Sequence, residues 1–145
     1  MGFVRTEDGV ERVFQPWERA LLADLSGDLA DLLRAADSVP GDRAIARLLP
    51  KAYPDDATAA AEFADFARPR LTEGKVASAE AILADLAAPD PVRIPHERVP
   101  LWLRGLTDLR LVLAERAAER PDPILAEVSD WLGWVLSDLL ETIED

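Results

Sequence analysis

The 145-residue sequence contains no cysteine, which removes disulfides, thiolate metal sites and a cysteine nucleophile together. It contains one histidine, His96, in a proline-bounded loop, and no partner at helical spacing completes a zinc or di-iron ligand set. A serine or threonine nucleophile would need a base beside it, so with one histidine the usual triads are nearly excluded as well. We therefore expect no metal, no cofactor and no catalytic residues. Long apolar runs are missing too: none approaches the roughly 18 residues of a membrane span. The start, MGFVRTEDGV, lacks the charged and apolar regions of a signal peptide. A soluble, cytoplasmic protein without membrane association is the expectation.

Basic charge is scarce and unevenly spread. There are 16 basic against 28 acidic residues, a formal net charge of -12, and only Lys51 and Lys75 are lysines. Such a surface repels phosphate backbones unless a local basic patch overcomes the mean, so nucleic acid is a disfavoured partner. After Arg120 no basic residue occurs, while Asp122, Glu127, Asp130, Asp138, Glu141, Glu144 and Asp145 are all acidic. That segment is read first as a solvated helix face, and otherwise as a docking surface for a basic partner. Gly74-Lys75 is not a phosphate loop, because Pro69 stands where the first glycine of that motif would fall and Val76 follows the lysine.

What is present is helical patterning. A domain of about 150 residues buries about 70% of the surface its unfolded chain exposes, so a core can form without staples. The most apolar stretch, Leu101 to Ala118, reads as the central helix of a bundle. At about 100° per residue, Trp102, Leu106, Leu109 and Leu113 form one line. Leu101, Gly105 and Val112 flank it on one side, and Leu103, Arg110 and Ala117 on the other. The remaining face carries Arg104 and Asp108, four apart and able to pair, with Glu115 beyond. Gly105 beside the line predicts close approach of another helix. Arg110 inside the arc predicts a buried, paired guanidinium or an anion site. Lys75, on another apolar stripe, is expected to snorkel to water or to share that role.

Taken in order, FVRTEDGVERVF at 3–14 is a hairpin signal, with Asp8-Gly9 suited to a type I′ turn. Pro16 suits a first helical position, and Leu21, Leu22, Leu25, Leu29, Leu32 and Leu33 make the stripe of a helix over about 17–36. Asp42 caps a short helix ending near Leu49, and Asp55-Asp56 cap another in which Phe63 and Phe66 are the large apolar residues among alanines. Pro69 kinks or ends that helix. A stripe of Leu71, Val76, Ala79, Ile82, Leu83 and Leu86 follows, then Val92-Arg93-Ile94 as a short third strand beside the hairpin. The last helix spans Ile124 to about Ile143. The expected fold is an all-α, single-domain helical bundle over 16–145, with a small β-hairpin over 1–14.

The segments LLPKAYPDD at 48–56, AAAEFADF at 59–66, EGKVASA at 73–79, WLRGLTDLRLVLAER at 102–116 and DWLGWVLSDLLETIE at 130–144 resemble an actinobacterial family catalogued only as a domain of unknown function. The resemblance covers nearly the whole chain in order. It implies a cytoplasmic protein, often encoded beside a Clp-protease adaptor and a sulfur-carrier gene cluster, and carries over no activity or catalytic residue.

One residue in the last helix bears on function. Trp134 falls on the polar face with Asp130, Asp138 and Glu141, opposite the broad apolar face, where it either lies over Gly133 or anchors an interface. The reading is a non-catalytic interaction or regulatory protein with a protein partner or a homodimer. Two alternatives stand beside it. One is a DNA-associated regulator with a winged-helix-like region between Asp42 and Phe66. The other is an enzyme using carboxylates and arginine in a cleft.

Overall fold

The computed structural model describes residues 2–144; Met1, in the hairpin segment, and Asp145, in the acidic tail, lie outside them. The apolar stretch forms a helix from Val99 to Glu119. In chain order the described residues form β1 (Val4–Arg5), β2 (Gly9–Arg12), α1 (Pro16–Arg34), α2 (Arg43–Leu48), α3 (Ala57–Ala87), β3 (Val92–Pro95), α4 (Val99–Glu119) and α5 (Pro123–Glu144). Helix α4 packs against α1, α2, α3 and α5, as a central stave must. No described helix is long and apolar enough to cross a membrane.

Helix starts follow the local chemistry. Pro16 opens α1, and Glu18 reaches back to accept from the Gln15 N–H at 2.8 Å. The Asp42 carboxylate accepts from the N–H groups of Ala44 and Ile45 at the head of α2, and Asp56 accepts from Ala59 at the head of α3. Pro69 does not end α3, which runs unbroken for 31 residues. Proline removes one N–H bond, and here Asp65, the residue four back, is exposed, so water can take up its freed carbonyl. No residue of α3 before Ser78 is fully buried, so this half of the helix projects from the core.

The third strand is present: the sheet order is β1-β2-β3, antiparallel throughout, with Val10 opposite Ile94 and Arg12 opposite Val92. The turn differs from the type I′ expectation. No described glycine has positive φ; instead the Thr6 N–H donates to the Gly9 carbonyl at 2.9 Å, and the Gly9 N–H donates to Thr6 Oγ1 at 3.0 Å. Glycine is required at position 9 for space, because a Cβ there would stand 2.0 Å from the Ile94 carbonyl oxygen of the neighbouring strand.

Sheet and helices share one core. Trp102 is fully buried at its centre, stacked on Phe14 at 6.3 Å and meeting Phe3 edge-on at 6.4 Å. Gly105 lies where α3 crosses α4: an added Cβ would be 2.6 Å from Ile82 Cδ1 and 3.4 Å from the Ser78 carbonyl oxygen. The close approach expected from the sequence is there.

The flank of α4 that turns inward is the Gly105–Asp108 side. Arg110 is exposed and has no ion-pair partner among the described residues, contrary to the expectation of a buried pair. Its guanidinium lies over Gly133 of α5, where a Cβ would be 3.3 Å from Cζ. Asp108 takes the buried position, and it pairs with Lys75 of α3, not with Arg104.

Candidate functional site

Arg12, at the end of β2, is only 9% exposed and would be prohibitive there without compensation. Its guanidinium lies over the rings of Phe3 and Phe14, with Cζ 5.4 and 4.8 Å from their centroids. Nη1 donates to Asp138 Oδ2 at 3.0 Å and Nη2 donates to Glu18 Oε2 at 3.3 Å. The Trp131 indole N–H also donates to Glu18 Oε2, at 3.0 Å, and the Phe3 N–H donates to Asp138 Oδ2 at 2.7 Å. One buried cation thus ties the hairpin to the start of α1 and the middle of α5. Arg5 Nη2 of β1 adds a bond to the Ile143 carbonyl at the end of α5, at 3.2 Å.

Above this knot lies an aromatic face. Trp17 is 58% exposed and packs on Trp131 with ring centroids 5.6 Å apart, and Trp134 is 76% exposed. Between Trp131 and Trp134 opens a cleft of about 390 Å³. Arg12 and Glu18, both buried, form its floor, and Asp138 and the exposed Glu141 complete its wall. Of the four residues singled out on α5, the fold brings Trp134, Asp138 and Glu141 to this cleft. Asp130 is exposed one turn away and does not line it. Asp138 is less free than a surface charge, because it anchors Phe3 and Arg12. Nothing local in the sequence marks Trp17 for this face: it sits just inside α1, where an aromatic reads as part of the helix stripe.

A second knot repeats the chemistry inside the bundle. Asp85 accepts from Arg98 Nε and Nη2 at 3.2 and 2.7 Å and from the Trp102 indole N–H at 2.8 Å, joining α3 to the head of α4. Elsewhere Lys75 Nζ donates to Asp108 Oδ1 at 2.9 Å. Lys75 therefore does not simply snorkel to water. Asp108 is raised above the ordinary carboxylate range, since burial outweighs the bond from Lys75, and its Oδ2 has no partner. Asp42 is lowered, first by the paired bonds from Arg116 at 3.0 and 2.9 Å and further by its capping role.

A concavity of about 790 Å³ runs between the projecting half of α3 and the turn after α1, lined by Leu33, Phe63 and Ala64 and by Arg34, Asp37 and Lys51. Phe66, one of the two large apolar residues of this half of α3, is 75% exposed, and Tyr53 is exposed with a left-handed φ of 58°. Its lining carries both signs of charge. The hairpin is held to β3 and to α5.

Among the described residues no group of three or more histidine, aspartate or glutamate side chains is placed to hold a metal ion. No curated protein and no solved structure matches the chain. The family model described as Domain of unknown function (DUF2017) matches residues 1–143, and the chain belongs to that family.

Proposed function

We propose that the chain is a non-catalytic interaction or regulatory protein of the cytoplasm that docks a protein partner or a second copy through the Trp17–Trp131–Trp134 face. The exposure of Trp134 carries this reading. Leu132, Val135 and Leu139 already fill the core side of α5, so the indole is not a core residue left half-packed. A tryptophan can bury 150–250 Å² against a partner at low entropic cost, and this residue type is enriched at interface hot spots. The buried carboxylates support a non-catalytic reading in the same way: Glu18, Asp85 and Asp108 each hold two elements together through an ion pair. The setting we infer is the one the family resemblance implies, an actinobacterial cytoplasm with a Clp-protease adaptor and sulfur-carrier genes nearby.

Trp134→Ala tests the reading, with the equally exposed Phe66→Ala as comparison. Circular dichroism and melting should be nearly unchanged for both. Sedimentation and pull-down should show association weakened by about 2 kcal/mol or more only for the tryptophan variant. Lower thermal stability with unaltered association would show Trp134 to be a packing residue and end the proposal.

A further inference from the structure

The cleft between Trp131 and Trp134 has a chemistry of its own. Its floor is a cation already neutralised, Arg12 held between Glu18 and Asp138. Counted formally over the described lining residues, Arg12 against Glu18, Asp138 and Glu141 gives -2. Among the described residues Glu141 makes no hydrogen bond or ion pair, and the hydrogen bonds to Asp138 go to Oδ2, with Gly2 packed beside its carboxylate at the edge of the cleft. No basic residue follows Arg120 on this helix to cancel the charge. The walls are indole rings, one of them open to solvent.

We infer that this cleft receives an arginine side chain from a basic segment of a protein partner, an inference that rests on the docking role proposed above. A guanidinium entering the cleft would stack on the Trp134 ring while its planar fork faces the carboxylates of Glu141 and Asp138. Charge complementarity selects the partner's sign, and the flat indole selects arginine over lysine. The cleft is large enough for one long side chain and too small for a helix, so the surrounding contacts come from the Trp17 side of the face. An acidic or purely apolar segment would leave Glu141 and Asp138 facing like charge or losing water without a replacement partner.

The probe is hexaarginine, with hexalysine and hexaglutamate as comparisons, titrated into the full chain by calorimetry and tryptophan fluorescence at low and at physiological salt. Hexaarginine should bind, shift the fluorescence of the exposed indole, and bind more tightly than hexalysine, while hexaglutamate should not bind. Trp134→Ala should weaken hexaarginine binding roughly threefold to thirtyfold, the range of one exposed to partly desolvated cation–π contact. Glu141→Gln should weaken it more than Glu144→Gln, which removes an equal charge farther along α5. Both variants alter exposed side chains outside the Arg12 knot. Equal binding of hexalysine, or equal effects of the two glutamate variants with none from Trp134→Ala, would reduce the attraction to general counter-charge and overturn the inference. If Trp134→Ala abolishes association of the protein with its partner or itself but leaves hexaarginine binding unchanged, the docking face stands and the arginine receptor falls. If it changes neither, both fall.

Discussion

Replacing Arg12 by methionine is the sharpest test of how the hairpin is joined to the bundle. The change keeps most of the apolar stem between Phe3 and Phe14 and deletes the cation. Glu18 would retain the bonds from the Gln15 N–H and the Trp131 indole, and Asp138 would retain the Phe3 N–H, so backbone and indole donors would still partly satisfy both carboxylates. Glu18 is buried, and removing one partner of a buried pair costs about 3 to 5 kcal/mol, chiefly through the charge left behind. The cation–π contacts add about 1 kcal/mol, and Asp138, roughly a third exposed, adds little because water reaches it. We expect a loss of about 4 to 6 kcal/mol in urea denaturation at neutral pH, with the slope of the transition unchanged. In the double variant Arg12→Met with Glu18→Gln, the uncompensated charge is gone while an acceptor for Trp131 remains. The double variant should therefore be more stable than Arg12→Met alone. A loss under about 1 kcal/mol for the single change, or simple additivity in the double variant, would refute the view that Arg12 is held by charge rather than by packing.

Glycines in the helices should separate by space: Gly27 and Gly74 have nothing within 4 Å of an added Cβ, so alanine should stabilise by up to about 1 kcal/mol at each. Gly105→Ala must displace the buried Ile82 side chain and should cost about 1 to 3 kcal/mol before the helix gain is subtracted, and a raised melting temperature would show that α3 and α4 have room there. Asp108 and Asp42 should respond to pH with opposite signs. With its folded value raised, Asp108 takes up a proton earlier in the native state, so the cost of its burial is present at neutral pH and is relieved as pH falls through that raised value. Asp108→Asn should therefore be at least as stable as the parent at pH 7, by an amount that shrinks on acidification. Asp42, lowered below 3.8, contributes stability that is present above its unfolded value and lost as pH falls through the lower folded one, so the loss in Asp42→Asn should persist until acid pH. Denaturation curves across the acid range check both.

Much of this fold was legible in the residues because the signals were local. The N-caps Asp42 and Asp56 work within three residues, the stripe of Trp102, Leu106, Leu109 and Leu113 repeats along one helix, and β3 was readable from a short run bounded by prolines. Gly105 announced its neighbour because an interior glycine in an apolar arc is costly unless something lies close. The two flanks of α4 were a different matter. Arg110 stood on the apolar flank with Leu103 and Ala117 and Asp108 on the polar face beside Arg104, so periodicity alone pointed to Arg110 as the buried charge. The packing decided otherwise: α3 crosses on the Gly105 side and brings Lys75 to Asp108, while Arg110 lies out over Gly133. The four tryptophans show the same limit. Trp102 is sealed in the core, and Trp131 is held by Glu18 from a helix more than a hundred residues earlier. Trp134, three positions on, faces solvent. The side of α5 on which it falls was readable from periodicity, whereas the cleft beside it exists only because Arg12 draws Glu18 and Asp138 together from distant parts of the chain. Caps and stripes depend on neighbours three or four residues apart, which the sequence alone determines; ion pairs and clefts depend on which faces meet, and that is decided by the packing of the whole chain.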